Sequence, residues 1–335
     1  MKHILLPLLF FVMISNLFAD DNCTKSKGKI VGYLPSYSMK HFTEDQAKKL
    51  TDIIIFSIIP DPSNGKFKVA KVNSDKSLIF QNKHGRNGLS EKDINQVVKT
   101  CKKYNVKTHL CIGGGDVADE FKALVENKNQ KKFAKYVTKY CLEKGIDGVD
   151  IDWEFPREDD LDGISSLLHE LYQKLNRKGI TLSAAFSSKI WAQKPSVEAA
   201  ARNIQYLHMV NVMGYVDTME GVERAEDIFV KQYKLPRSKI IVGIPFFTYP
   251  KKQVITYRKM IARALDQGTD ITPNTNSVTI DNKEHHFNGV NLVKQKTKYS
   301  MDKMGGVMIW ELGQDLPANN KLSLLNAIHE EVSKN

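Results

Sequence analysis

The stretch Asp147-Gly148-Val149-Asp150-Ile151-Asp152-Trp153-Glu154 concentrates four carboxylates in eight otherwise apolar residues. On an extended chain successive side chains alternate faces, so Asp150, Asp152 and Glu154 share one face at i, i+2 and i+4. Bulky Val149, Ile151 and Trp153 take the other face, as in a buried strand. Neighbouring carboxylates repel, and burying them without partners costs several kcal/mol each, so packing alone does not account for them. Such a row suits acid–base chemistry, in which one carboxyl stays protonated near neutral pH because a neighbouring charge raises its pKa. Asp147, three residues before Asp150, falls off the shared face; it is read either as supporting the acids or as a structural acid at the start of the strand. A calcium site is the other use of clustered acids, but it needs oxygen ligands converging from a flexible loop, not alternation with bulky apolar residues.

These acids need a scaffold. Short apolar runs recur at Lys29 to Leu34, Asp52 to Ile58, Val106 to Gly113, Ile146 to Asp152, Ile180 to Phe186, Leu207 to Met213, Ile240 to Pro245 and Gly306 to Trp310. They are eight candidate strands. Amphipathic stretches separate them, the clearest placing Phe133, Tyr136, Val137 and Tyr140 on one helical face ahead of Gly145 as a stop signal. Runs apolar on both faces imply parallel strands covered by helices. Units of about 40 residues fit an α/β fold, a (β/α)8 TIM barrel forming a single domain with short insertions. An open doubly wound sheet is the alternative. The longest connections, Pro60 to Gly88 and Tyr249 to Gly305, are read as insertions, the first containing a hairpin over Lys66 to Phe80. In a barrel the acids sit at the mouth, where Trp153, Trp191 and Trp310 also fall, at or just after strand ends.

At these positions the sequence resembles glycoside hydrolase family 18, the chitinase family, whose signature D-x-x-D-x-D-x-E closes the fourth barrel strand. Gly32-Tyr33, Phe56, Cys111-Ile112-Gly113-Gly114, Met213-Gly214-Tyr215, Gly243-Ile244-Pro245-Phe246 and Gly305-Gly306-Val307-Met308-Ile309-Trp310 fit other strands of that family in the right order. The resemblance implies that Glu154 is the general acid, that Asp152 orients the substrate's N-acetyl group, that Asp150 modulates Asp152 and that Tyr215 hydrogen-bonds the acetamide. It implies Asp147 as a further member of the catalytic set, and Trp310, Tyr33, Phe56, Gly114 and Met213 facing substrate. Trp153 and Trp191 either contact sugar or pack. It also implies a substrate-assisted retaining mechanism, in which the acetamido oxygen is the nucleophile. The expected partner is chitin or another N-acetylglucosamine-containing glycan. Because the roughly 55 residues between the seventh and eighth strands are fewer than the extra α+β domain of many family members would require, a shallower, more open cleft and internal cleavage are expected. An N-glycan endoglycosidase, a peptidoglycan hydrolase and a silent lectin are the alternatives.

Three positions depart from the family pattern. Cys111 replaces the usual Ser, leaving Tyr33 as the expected main partner of Asp150; Val216 replaces the usual Asp; and Phe247-Thr248-Tyr249 replaces Tyr-Gly-Arg.

The rest of the chain bounds the setting. Lys2, the apolar run Ile4 to Ile14 and Ala19 have the form of a secretory signal over residues 1–19, followed by a segment 20–28 and the barrel over 29–333. A secreted protein, most simply a monomer, is expected. The net charge of +11 is read as solvated lysine faces. No nucleic-acid signature and no membrane-spanning run is present in the sequence. His169-Glu170 lacks a second zinc-binding histidine, Gly113-Gly114-Gly115 lacks the Lys-Ser/Thr of a phosphate loop, and His285-His286 is read as a solvated pair in a polar loop, so no cofactor or metal is expected. Cys101 and Cys141 are either bridged or buried free thiols, and Asn22-Cys23-Thr24 matches a glycosylation acceptor.

Overall fold

The computed structural model describes residues 28–83, 85, 87–189, 193–248 and 254–334. The leader, Asn22, Cys23 and Trp191 lie outside the described residues. Eight strands close into a parallel barrel: β1 (Lys29–Pro35), β2 (Asp52–Ile58), β3 (Lys107–Gly115), β4 (Gly148–Glu154), β5 (Thr181–Ser187), β6 (Met209–Met213), β7 (Ile240–Pro245) and β8 (Gly306–Trp310). Each pairs with its neighbours in sequence order, and β8 closes on β1. All eight expected strands are present within a few residues.

Period-two alternation explains the two cores. Outward side chains such as Ile53, Ile55, Leu110, Val149 and Ile151 are buried in one large cluster with the surrounding helices. Inward side chains, including Val31, Tyr33, Ile54, Cys111, Met209 and Ile241, fill the barrel with a second cluster. Removing apolar surface from water on both faces is worth about 1.5–3 kcal/mol per large side chain, which is why near-continuous apolar strands fit this position.

Helices follow most strands, and their ends are chemically marked. Ser90 caps helix Glu91–Lys103, its hydroxyl accepting from the Asp93 amide. Helix Gln130–Lys144 stops at Gly145, whose φ of 68° suits a residue without Cβ. A further helix, Ala118–Glu126, was not visible as a separate periodic stretch. The Pro60 to Gly88 insertion forms a short ladder, Pro60–Asp61 with Lys66–Phe67, and a three-stranded sheet of Val69–Val72, Leu78–Gln81 and Asn87–Ser90. Between β7 and β8 stand helix Tyr257–Asp266, a hairpin of Ser277–Ile280 with Lys283–His286, and helix Val290–Lys303. His285 and His286 therefore lie on a hairpin strand rather than in an open loop. Cys101, Cys111 and Cys141 are buried free thiols, which settles the bridge question for that pair. No described helix is long and apolar enough to cross a membrane.

Candidate active site

Asp150, Asp152 and Glu154 climb the inward face of β4 toward the C-terminal mouth of the barrel. In the neighbouring strand β3, Cys111, Gly113 and Gly115 stand opposite them in register. A Cβ on Gly113, whose φ is +115°, would lie 2.1 Å from the Asp152 carbonyl oxygen, so only glycine permits this close approach.

Asp150 is fully buried beneath the mouth. Tyr33 donates its hydroxyl to Asp150 Oδ2 at 2.8 Å. Ser183 donates to Oδ1 at 2.5 Å, and Asn211 Nδ2 donates to the same oxygen at 3.0 Å. Burial raises the Asp150 pKa, and these three donors pull against that rise. The expectation that Tyr33 would be the main partner is thus incomplete, because Ser183 from β5 and Asn211 from β6 share the task. Both interrupt apolar strands at inward positions, a period-two signal that was available in the sequence. The Cys111 thiol beside them is pushed up by burial and by the Asp150 charge, so it stays neutral.

Asp152 is 3% exposed. Burial, followed by the charges of Glu154 and Asp150, raises its pKa well above the usual carboxylate range. Glu154 is also raised, and here too burial is the leading cause. The hydrogen bond from Asp152 and the charges of Lys189 and Lys83 oppose that rise, while Asp116 adds to it. Burial, ahead of any neighbouring charge, is thus the leading cause of the raised Glu154 pKa, and the two adjacent carboxyls, both raised, titrate as a pair. Lys83 and Lys189 lie in loops without periodicity, and nothing in the sequence singled them out.

These groups line a cleft of about 480 Å³, together with Tyr33, Phe56, Gly114, Met213, Tyr215 and Trp310. Trp310 meets Phe56 edge-to-face with ring centroids 4.8 Å apart and leans on Tyr33 at 5.5 Å. The result is an apolar aromatic floor, suited to the C–H face of a sugar ring. Tyr215 packs edge-on to Phe247 at 6.1 Å, and its hydroxyl donates to Met308 Sδ at 3.3 Å. A second depression of about 730 Å³ runs from Gly115 and Glu154 past Phe155 to Arg157 and Glu158, so Glu154 stands where the two meet. The cis peptides Phe56–Ser57, Glu154–Phe155 and Trp310–Glu311 border this mouth.

Two residues assigned to the site lie elsewhere. Trp153 turns to the outer face of β4, is 2% exposed and stacks on Phe121 with centroids 5.0 Å apart, so it packs under a helix instead of facing the cleft. Strand alternation requires this once Asp152 and Glu154 point inward. Asp147 precedes β4 at the opposite end of the barrel. It accepts from the Thr108 amide at 3.0 Å, the Thr108 hydroxyl at 3.1 Å and Lys107 Nζ at 3.1 Å. Burial alone would raise its pKa, but these donors hold it below the ordinary value. It ties the start of β4 to β3 and belongs to the structural reading, not the catalytic set.

Comparison with known proteins agrees with this geometry. The sequence profile described as "Glycosyl hydrolases family 18" matches residues 29–315. Probable chitinase 2 of Drosophila melanogaster is 25% identical over 167 residues, covering 43% of this chain and 34% of that protein. The chain thus matches only about a third of that relative's length. Endochitinase 1 of Metarhizium robertsii is 21% identical over 264 residues, covering 63% and 62% of the two chains. The solved structure of a chitinase from the chitin utilization locus of Flavobacterium johnsoniae is 24% identical, with a TM-score of 0.70 over 92% of this chain and 94% of that one. A plant class V chitinase mutant from Cycas revoluta, solved in complex with (GlcNAc)3, is 19% identical with a TM-score of 0.71 over 90% and 99%. With the profile matched from the first barrel strand to beyond the last, and the acids at the mouth of β4, the chain belongs to glycosyl hydrolase family 18.

Proposed function

We propose that this protein is a secreted chitinase that hydrolyses β-1,4 linkages between N-acetylglucosamine units, cutting within the chain and retaining the anomeric configuration. The observation that carries this reading is the Asp152–Glu154 pair beside an aromatic floor: one carboxyl to protonate, one to hold an acetamide, and a surface for the sugar ring.

In the free protein the shared proton rests with Asp152. An acetamide N–H donated to Asp152 stabilises its ionised form, and the proton then moves to Glu154. Glu154 gives it to the glycosidic oxygen as the bond from C1 to that oxygen breaks. The acetamido carbonyl oxygen bonds to C1 from the other face, forming an oxazolinium ion whose positive charge the Asp152 carboxylate stabilises. Glu154, now ionised, takes a proton from water as the water oxygen bonds to C1 and the oxazolinium ring opens. Asp150, held by three donors, acts on Asp152 through its charge, which favours the protonated form of Asp152. Depressions on both sides of Glu154 support internal cleavage, since a polymer has room to cross the acid. Secretion is supported by the basic start, apolar run and small residue of positions 1–19.

The test is to incubate the protein and its Glu154→Gln variant with chitotetraose and insoluble chitin and follow products by mass spectrometry. Cleavage by the parent, with binding but no cleavage by the variant, supports the assignment. Binding without cleavage by both would make the protein a lectin on this scaffold, and no binding by either would move the substrate to N-glycans or peptidoglycan.

A further inference from the structure

Behind the loop that carries Tyr215 lies an almost wholly buried lysine. Lys296, on helix Val290–Lys303, is 1% exposed. Its Nζ donates to the Val216 carbonyl oxygen at 2.7 Å and to Asn288 Oδ1 at 2.5 Å. Asn288, also 1% exposed, donates Nδ2 to the same Val216 oxygen at 3.2 Å and to the Pro245 oxygen at 3.4 Å. The carbonyl of Val216 therefore receives two donors. The same two side chains tie the segment after β6 to the end of β7.

Tyr215 is the residue just before that carbonyl, and its ring has a fitted seat. A Cβ on Gly243 of β7 would fall 2.5 Å from Tyr215 Cε1, so the glycine leaves the space that the ring occupies. On the other side, a Cβ on Gly221 would fall 2.2 Å from the Gly214 carbonyl oxygen, so helix Glu220–Ala225 presses directly on the loop backbone. The thioether of Met308 that accepts the Tyr215 hydroxyl is a weak acceptor, which a carbonyl oxygen can replace.

Stability alone gives no reason for this lysine. Burying an ammonium costs several kcal/mol unless it is fully paired, and an apolar side chain of similar volume is often the more stable choice. Here its two bonded acceptors are neutral, and burial pushes Lys296 down to about 7 against the pull of Asp217. What the lysine supplies is a donor long enough to reach a loop carbonyl from the back of a helix.

We propose that Lys296, with Asn288 as its bridge, is a positioning residue for Tyr215, clamping the Val216 carbonyl so that the phenol is held at the mouth of the cleft beside Asp152. The inference rests on the proposed hydrolysis together with the role the family resemblance implies for Tyr215, a hydrogen bond to the acetamide. It also gives this chain its own way of fixing a loop where Val216 carries no side-chain donor or acceptor.

Two measurements test it, using Lys296→Met, Tyr215→Phe and the double variant. In chitotetraose turnover each single change lowers kcat on the order of tenfold with KM little changed, and the double variant is no slower than the slower single one, because both remove one arrangement. Losses that multiply to about a hundredfold would overturn the proposal. Amide hydrogen exchange gives a readout that needs no turnover: Lys296→Met speeds exchange over residues 214–217 by about tenfold or more while helix 290–303 keeps its protection. Unchanged exchange at 214–217 would also overturn it. A parent that turns over no substrate sinks the hydrolase reading and leaves the exchange result to decide the clamp. If Lys296→Met does not fold, Asn288→Ala removes the bridge to Pro245 and one donor to Val216 and is put to the same two measurements, with the same outcomes.

Discussion

Asp152 and Glu154 share a hydrogen bond on the inward face of β4, and the other carboxyl oxygen of Asp152, Oδ1, has no partner among the described residues. A buried acceptor left open in this way costs about 1–3 kcal/mol, so the arrangement is maintained against stability. It is an acceptor waiting for a donor such as an amide N–H, at the point where the proposed substrate carries one.

Asp152→Asn tests that relationship through activity. The amide donates permanently to Glu154 but never ionises, so it neither stabilises an oxazolinium ion nor sends a proton to Glu154. The kcat for chitotetraose is expected to fall about 10²- to 10⁴-fold. Oligosaccharide binding measured by calorimetry should survive within about tenfold, since shape and size are kept. Turnover within a factor of three of the parent would sink the assigned role.

The same substitution tests the electrostatics through stability. The folded-state pKa values of Asp150, Asp152 and Glu154 are all raised, with burial the leading cause in each. Between the ordinary carboxylate range and the raised values the folded protein binds more protons than the unfolded chain, so these groups make stability fall as pH rises through that interval. Asp152→Asn removes the group that burial and both neighbouring acids all push toward the protonated form. Its melting temperature should exceed the parent's, with a gap that widens from about pH 5 to about pH 8. A gap that closes on raising the pH would contradict the assigned direction.

Ser183 and Asn211 show how far the sequence went and where it stopped. The strands, the barrel and the three acids were legible because period-two alternation and apolar runs are local patterns, set by one segment at a time. That Ser183 and Asn211 meet on Asp150 Oδ1 depends on which strands close the barrel and in what register, and this information is distributed over β4, β5 and β6. Trp153 failed for the opposite reason: its place near a strand end suggested the mouth, although the alternation of its own strand already turned it outward. The charges of Lys83 and Lys189 act on Glu154 from connections that no periodicity describes.

Ser183→Ala should act on catalysis through Asp150 without touching substrate. Loss of the 2.5 Å hydrogen bond leaves Oδ1 with Asn211 alone, and a hydrogen bond to a charged group is worth about 1.5–3 kcal/mol. The Asp150 pKa should rise further, the charge that Asp152 feels from it should change, and kcat should drop roughly tenfold or more at constant KM. A pure KM effect would place Ser183 in substrate binding instead.

The two tryptophans of β4 and β8 should separate cleanly. Trp310→Ala removes the aromatic floor and should raise KM for oligosaccharides, by about tenfold or more, with a small change in melting temperature, because Trp310 is only partly buried. Trp153→Ala removes a fully packed ring from beneath a helix and should cost about 3–5 kcal/mol of stability while the surviving folded protein keeps its KM. The reverse pattern would return Trp153 to the substrate-contacting set.

The proposed internal cleavage makes a prediction about early products, because Glu154 lines both depressions. If a polymer crosses the acid from the aromatic cleft into the groove beside Phe155 and Arg157, both sides of the scissile bond are held, and chitohexaose should yield mixed trimer, dimer and tetramer from the earliest time points. The groove is lined mainly by charged and small residues around Phe155, whereas Trp310, Phe56 and Tyr33 crowd the other side, so the groove's grip on sugar should be weaker. Arg157→Ala and Glu158→Ala should then change the ratio of early products while leaving cleavage of a disaccharide aryl glycoside, which needs only the Trp310 side and the acid, within about twofold. Release of disaccharide alone from the first minutes would instead mean that the chain end is fixed in the aromatic cleft, and the groove would have no part in binding.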